Sequence, residues 1–334
     1  MGYGNFSSKF YDDAKKARAD KGIDDFVYTS AVHSGAAPAK VHDLMNPKGA
    51  TREARDSADH PAIVPAIVFL DETGSMGRVV RGIQQKLGLM MTMLVQKGVL
   101  PHPAICFCGV GDARTDRAPL QVGQFEADNK VEQWLNENLF IESGGGGQFP
   151  PSESYGLGLY FAARHTAHDA FDKRGRPGYL FMIGDEQGYP IARREVEEVI
   201  GDRIESDISI ASIMPEVRRL YNPFFIIPRD GDNGRDPSIE DYWVREIGRE
   251  HVRMLDEAEA ISETIVGIVA TCEGVWDADE LETNLRAGGA STAIVKSVRD
   301  ATAGLSPLHG AGGLTAVSGA PLATGGASKR PSRL

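Results

Sequence analysis

The densest chemistry in the sequence is the run Asp71-Glu72-Thr73-Gly74-Ser75-Met76. A carboxylate and two hydroxyls stand at alternate positions, and Gly74 permits a curl that turns all three toward one point. Oxygen donors of this kind suit a hard cation such as Mg²⁺. The segment beginning at about Gly77 would aim backbone amides at any anion held there. A second carboxylate, Asp185, closes another apolar stretch in Ile183-Gly184-Asp185-Glu186. If the two stretches lie side by side, Asp71 and Asp185 repel each other unless a cation or a proton separates them.

The elements that must position these groups alternate along the chain. Residues 65–71, PAIVFLD, are short, apolar and β-branched, as in a strand buried on both faces. Over 78–98, Val80, Ile83, Leu87, Met90 and Leu94 fall at helical spacing on one face, and Gly98 and Pro101 stop the helix. The methionines of this stretch read as core filler. Further strands are expected at 104–112, 119–125, 178–186, 224–228 and 251–255, and helices at 129–139, 154–171, 192–200, 239–248 and 259–274. The GDARTDRA between the second and third strands reads as a turn. This alternation predicts an α/β fold: a doubly wound, mostly parallel six-stranded sheet with helices on both faces. In such a sheet the first and fourth strands are neighbours across the switch point, where ligands bind.

With 334 residues, the chain suits one large domain or two small ones. Residues 1–60 are polar and turn-rich and read as an extended arm, docked through Phe10, Tyr11, Phe26 and Tyr28. The main domain spans 61–275, a helical extension 276–300, and a flexible Gly/Ala/Ser tail 301–334 that ends in Lys329, Arg330 and Arg333. Lys plus Arg total 36 against 47 Asp plus Glu, a net charge of −11. That balance argues against a nucleic-acid or anionic-membrane partner. No uncharged apolar run reaches the ~18–20 residues of a membrane span, and the first residues lack the apolar core of a signal peptide. Three cysteines, an odd and sparse count, suit a reducing compartment, so the expected location is cytoplasmic. Cys106 and Cys108 are expected to be buried with both thiols on one strand face. His165 and His168 are expected to face one way on one helix, with no third ligand for zinc.

The DETGSM loop between strand and helix, a glycine-rich stretch and an Asp ending a later core strand together resemble a von Willebrand factor A domain over roughly residues 61–275. The resemblance implies a metal-ion-dependent adhesion site. Asp71, Thr73 and Ser75 match its first loop, and Asp185 matches its third. The family's second loop usually supplies a Thr; here SGGGGQFPPSES resembles the GGGxxPE variant, which puts Glu153 at that position with Ser152 and Ser154 beside it. A Glu would add charge and hold the metal more tightly. What the resemblance implies is Mg²⁺ (or Mn²⁺) bound by Asp71, Thr73, Ser75, Asp185 and Glu153 or a neighbouring Ser. It also implies protein binding rather than catalysis, with a partner's carboxylate filling an open position. Intracellular bacterial and phage members act with AAA+ ATPases of the MoxR type, which makes an adaptor role the expectation.

Two other readings stand beside it. A haloacid-dehalogenase-like phosphotransferase would use Asp71 as nucleophile and Asp185 as a Mg²⁺ ligand. Against it, position 72 is Glu rather than Lys, Thr73 replaces the second Asp of soluble phosphatases, and the GDxxxD pattern at 111–116 comes too early in the strand order. The other reading is a structural scaffold within a larger assembly. The run Gly144–Gly147 lacks the Lys-Ser/Thr of a Walker loop, and there is no nucleophile elbow.

Overall fold

The computed structural model describes residues 6–72, 76–100, 102–142 and 151–308. Its strands are β1 Arg52–Ala54, β2 Val64–Asp71, β3 Pro103–Val110, β4 Leu120–Val122, β5 Ser152–Glu153, β6 Thr166–His168, β7 Gly178–Ile183, β8 Gln187–Gly188, β9 Tyr221–Pro228 and β10 Val252–Leu255. Six of them form one sheet in the order β10-β9-β7-β2-β3-β4. All neighbours in it are parallel except β3 and β4. Two short parallel pairs, β1 with β6 and β5 with β8, stand apart from it.

The sheet is apolar on both faces because its central strands are apolar at nearly every position. In β2, Val64, Ala66, Val68 and Leu70 enter one core, while Ile67 and Phe69 enter the other. Successive strand side chains point to opposite faces, so each face needs its own cover. The helices are α1 Ser8–Asp20, α2 Val27–His33, α3 Gly77–Gln96, α4 Val131–Asn136, α5 Tyr155–Arg164, α6 Asp169–Arg174, α7 Arg193–Glu195 (continued as a wider turn over Val196–Ile200), α8 Ile210–Leu220, α9 Pro237–Ile247, α10 Ile261–Cys272, α11 Ala278–Ala287 and α12 Thr292–Thr302. The first core takes side chains of α3, α10, α11 and α12, and the second those of α5, α8 and α9. Each fully buried Leu, Ile or Phe contributes about 1.5–3 kcal/mol.

Cys106 and Cys108 are fully buried in the second core, with Sγ atoms 3.6 Å apart. Among the described residues no helix is long and apolar enough to cross a membrane.

Several expectations need correction. The stretch read as an extended arm carries α1, α2 and β1. Tyr11 docks it: its ring lies against Gly88, where a Cβ would come within 2.6 Å of Cδ1, and its hydroxyl donates to the Gln84 carbonyl at 2.6 Å. Phe26 is buried too, but Phe10 is 61% exposed. The single helix expected over 154–171 breaks after Arg164, where Thr166–His168 leaves to pair with Arg52–Ala54. His165 and His168 therefore share no helix. His168 caps α6, accepting the Phe171 amide on Nδ1 at 3.1 Å. Helix α8 had not been expected; Pro215 sits inside it and reads in sequence as a breaker. The helical extension runs to Thr302, two residues past the expected boundary. The remainder of the tail from 309, Lys329, Arg330 and Arg333 among it, lies outside the described residues, as does the glycine run Gly144–Gly147.

Candidate functional site

Strands β2 and β7 run parallel with Leu70 opposite Ile183. Asp71 ends β2 and Asp185 lies just past β7, so the two acids leave the sheet at the same edge on neighbouring strands. Neither is more than 1% exposed. The pairing of β5 with β8 fastens Glu153, itself 3% exposed, beside the chain that leaves Asp185. Of the expected ligands, Thr73 and Ser75 lie outside the described residues. Of the two serines beside Glu153, Ser154 already accepts the Ala113 amide on its hydroxyl at 2.9 Å.

Three features of the site go beyond the residues expected from the sequence. The first is Tyr155, at the start of α5. Its hydroxyl donates to Asp71 Oδ2 at 2.5 Å, and a Cβ at Gly184 would lie 2.1 Å from that hydroxyl. Only glycine at 184 leaves the phenol this place. The second is the chain after β9. The Asn233 amide donates to Asp185 Oδ2 at 2.9 Å, and its side-chain amide reaches Glu186 Oε1 at 3.4 Å. A Cβ at Gly234 would lie 1.8 Å from the Pro228 carbonyl oxygen, so glycine sets this turn. Arg78, in the first turn of α3, donates to the Asp230 carbonyl at 3.0 Å and ties the turn to that helix. The third is the chain after β3, where Asp112 and Asp116 stand. The Asp112 amide donates to Asp116 Oδ2 at 2.7 Å. Their signal was available: they follow the carboxyl end of the strand beside β2, but GDARTD reads more readily as a turn.

The electrostatics follow from so many acids out of water. Burial pushes Glu153 up to about 11, with Asp71, Glu186, Asp116 and Asp112 adding to the push. Burial, then Asp71 and Asp185, takes Glu186 up to about 8. Asp116 is raised chiefly by burial. The Tyr155 phenol is held well above its ordinary value, by burial first and then by Asp71, Glu153 and Asp185 together. Glu153 Oε2 is buried with no hydrogen-bond partner. Without a cation, Glu153 keeps its proton at neutral pH. Among the described residues, no three His, Cys, Asp or Glu side chains gather closely enough to hold a metal ion by themselves. What the arrangement offers is a set of buried oxygen donors, one of which, Glu153 Oε2, has no hydrogen-bond partner.

No protein-family profile matches the sequence, and no curated protein matches it. Among solved structures, the pilus adhesin SpaC from Lactobacillus rhamnosus GG in its open conformation superposes with a TM-score of 0.45 and 11% identity, over 67% of this chain and 31% of that one. A second crystal form of the same adhesin gives a TM-score of 0.40 and 11% identity, over 67% and 32%. The chain thus spans about a third of the length of those adhesin structures. Overlap at this level leaves fold and function to be argued from the chain's own residues.

Proposed function

We propose that the chain is a metal-dependent protein-binding module on a doubly wound sheet of the von Willebrand factor A type. The observation that carries this reading is Glu153 Oε2, buried and unbonded while four other carboxylates press on the same side chain. A buried ionised carboxylate without a partner is strongly disfavoured, and a divalent cation is the partner that this donor set accepts. Asp71, Asp185 and Glu153 would hold it, with Thr73 and Ser75 completing the oxygen set. A Mg²⁺ ion keeps several waters and needs only one or two carboxylates from the protein, which agrees with a site whose acids form no closed cage. The cation's contribution is an exchangeable coordination position for a partner's oxygen. An adaptor role beside an AAA+ ATPase belongs to the same proposal.

The phosphotransferase alternative is weaker. Asp71 is fully buried and bonded to Tyr155, and an incoming phosphoryl dianion would meet the surrounding acids. The scaffold alternative gives no account of the unbonded Glu153 oxygen.

Calorimetric titration with Mg²⁺ and Mn²⁺ tests the reading. The wild-type chain should bind saturably, and Asp71→Ala should abolish binding while keeping the fold. Because Glu153 must release a proton to bind, affinity should rise with pH by up to about tenfold per unit. Undiminished binding by Asp71→Ala would show that the site is misassigned.

A further inference from the structure

Glu72 follows Asp71 but turns inward instead of joining the site. Its carboxyl lies over Gly109, where a Cβ would come within 1.4 Å of Oε1. Gln121 on β4 is the cross-strand partner of Gly109. From there its side-chain amide donates both to Glu72 Oε2 and, at 2.7 Å, to the Phe140 carbonyl. Its own oxygen accepts the Phe140 amide at 3.0 Å. One fully buried carboxamide therefore uses both N–H groups and its oxygen. It binds Phe140 as a neighbouring strand would.

The other edge of the same short segment is closed from the N-terminal stretch. The Thr29 hydroxyl in α2 donates to the Leu139 carbonyl at 2.9 Å and accepts the Ile141 amide at 2.9 Å. The Phe140 ring stands edge-on to Tyr28 at 6.3 Å and to His33 at 6.2 Å. Residues 139–141 are thus clamped between β4 and α2.

We propose that Gln121 is the positioning residue of the carboxylate site, its single amide fixing Glu72, beside Asp71, to Phe140, with Thr29 holding that segment from the N-terminal side. The cation arm of the test rests on the metal-binding reading; the tie itself does not. It follows that docking of α2 and the placement of Glu72 are coupled, because both bear on residues 139–141.

The experiment uses the full chain as wild type, Gln121→Leu, Thr29→Val and the double variant. In Mn²⁺ titrations, Gln121→Leu is expected to weaken binding by about tenfold or more and Thr29→Val by about threefold, sizes in keeping with lost buried hydrogen bonds. The double variant should lose less than the product of the two. Amide exchange on the metal-free protein provides the independent reading. Gln121→Leu should speed exchange at Phe140 and at Glu72 together. Wild-type Mn²⁺ affinity in Gln121→Leu, or faster exchange at Phe140 with Glu72 unchanged, overturns the proposal. If the wild type binds no Mn²⁺, the metal reading falls and exchange alone decides the tie. Should Gln121→Leu fail to fold, Gln121→Glu keeps the acceptor for the Phe140 amide and replaces it in both measurements.

Discussion

At the amino end of β2, the half-buried Asp56 and the buried Asp169 sit among cations; at its carboxyl end, Asp71, Glu153 and Asp185 are buried among more acids. Asp56 accepts both Arg174 Nη atoms, at 2.7 and 3.1 Å, and Lys173 at 3.3 Å. Asp169 takes Lys173 at 2.6 Å, Arg55 at 2.9 Å and the Asp56 amide at 2.9 Å. Burial alone would raise Asp169, but those bonds from Lys173, the Asp56 amide and Arg55 outweigh it and hold the acid down at about 2. Arg174 also donates to the Ile63 carbonyl at 2.9 Å, which fastens the cluster to the start of the strand. The two ends show that this fold neutralises buried acid where the acid only has to hold elements together. At the other end the acids raise one another instead, Glu153 to about 11 and Glu186 to about 8.

The larger expected effects belong to the paired end. Arg174→Ala leaves Asp56 without its two-pronged partner and should cost roughly 2 kcal/mol in urea unfolding, as for a half-buried, charge-assisted pair that also loses a bond to the Ile63 carbonyl. A loss below about 1 kcal/mol would mean that Lys173 alone neutralises Asp56, blurring the contrast.

His168, beside that cluster, sharpens the comparison through pH. Burial lowers it to about 4 in the fold. Its neutral ring accepts the Phe171 amide on Nδ1, and its Nε2 stands 3.1 Å from the Leu220 carbonyl. A depressed value means that stability is fully present above the unfolded value near 6.5 and is lost as pH falls through 4, on the order of 3 kcal/mol. His168→Asn should flatten that acid limb in melts run from pH 7 to 4; an unchanged slope would place the loss elsewhere.

The acidic end has the opposite sign. Glu186 is raised to about 8, so its contribution is present below the unfolded value near 4.5 and is lost as pH rises through 8. Neutralising one acid there should help rather than harm. In metal-free protein, Glu153→Gln is expected to raise the Tm, by about 1 kcal/mol of stability. A lower Tm would break the comparison, since it would show Glu153 to be a structural carboxyl like Asp169.

How much of this was legible in the sequence varied with the kind of signal. Strand β2 and helix α3 were, because an unbroken apolar run and a three-and-four-residue spacing are local patterns. The adjacency of Asp71 and Asp185 was also legible, since alternating strands and helices leave few strand orders. The break at Arg164 was not: helical periodicity continues through His168, and only the distant pairing with Arg52–Ala54 decides against it. Tyr155, Asn233 and Gln121 were invisible for a related reason. Each acts through one contact set by tertiary packing, and a lone Tyr, Asn or Gln carries no pattern. Gly109 and Gly184 fall inside expected strands and carry no pattern of their own; each is small because another group lies against it.

The parallel course of β2 and β7 has a kinetic consequence. Asp71 and Asp185 lie more than a hundred residues apart in the chain, and parallel neighbours cannot be joined by a hairpin. Long-range pairing of this kind forms slowly, after a large closure entropy has been overcome. Bringing the two acids together is then part of the slow step itself, and their repulsion adds to its barrier. An ion that relieves it should speed refolding as well as lengthen the life of the native state.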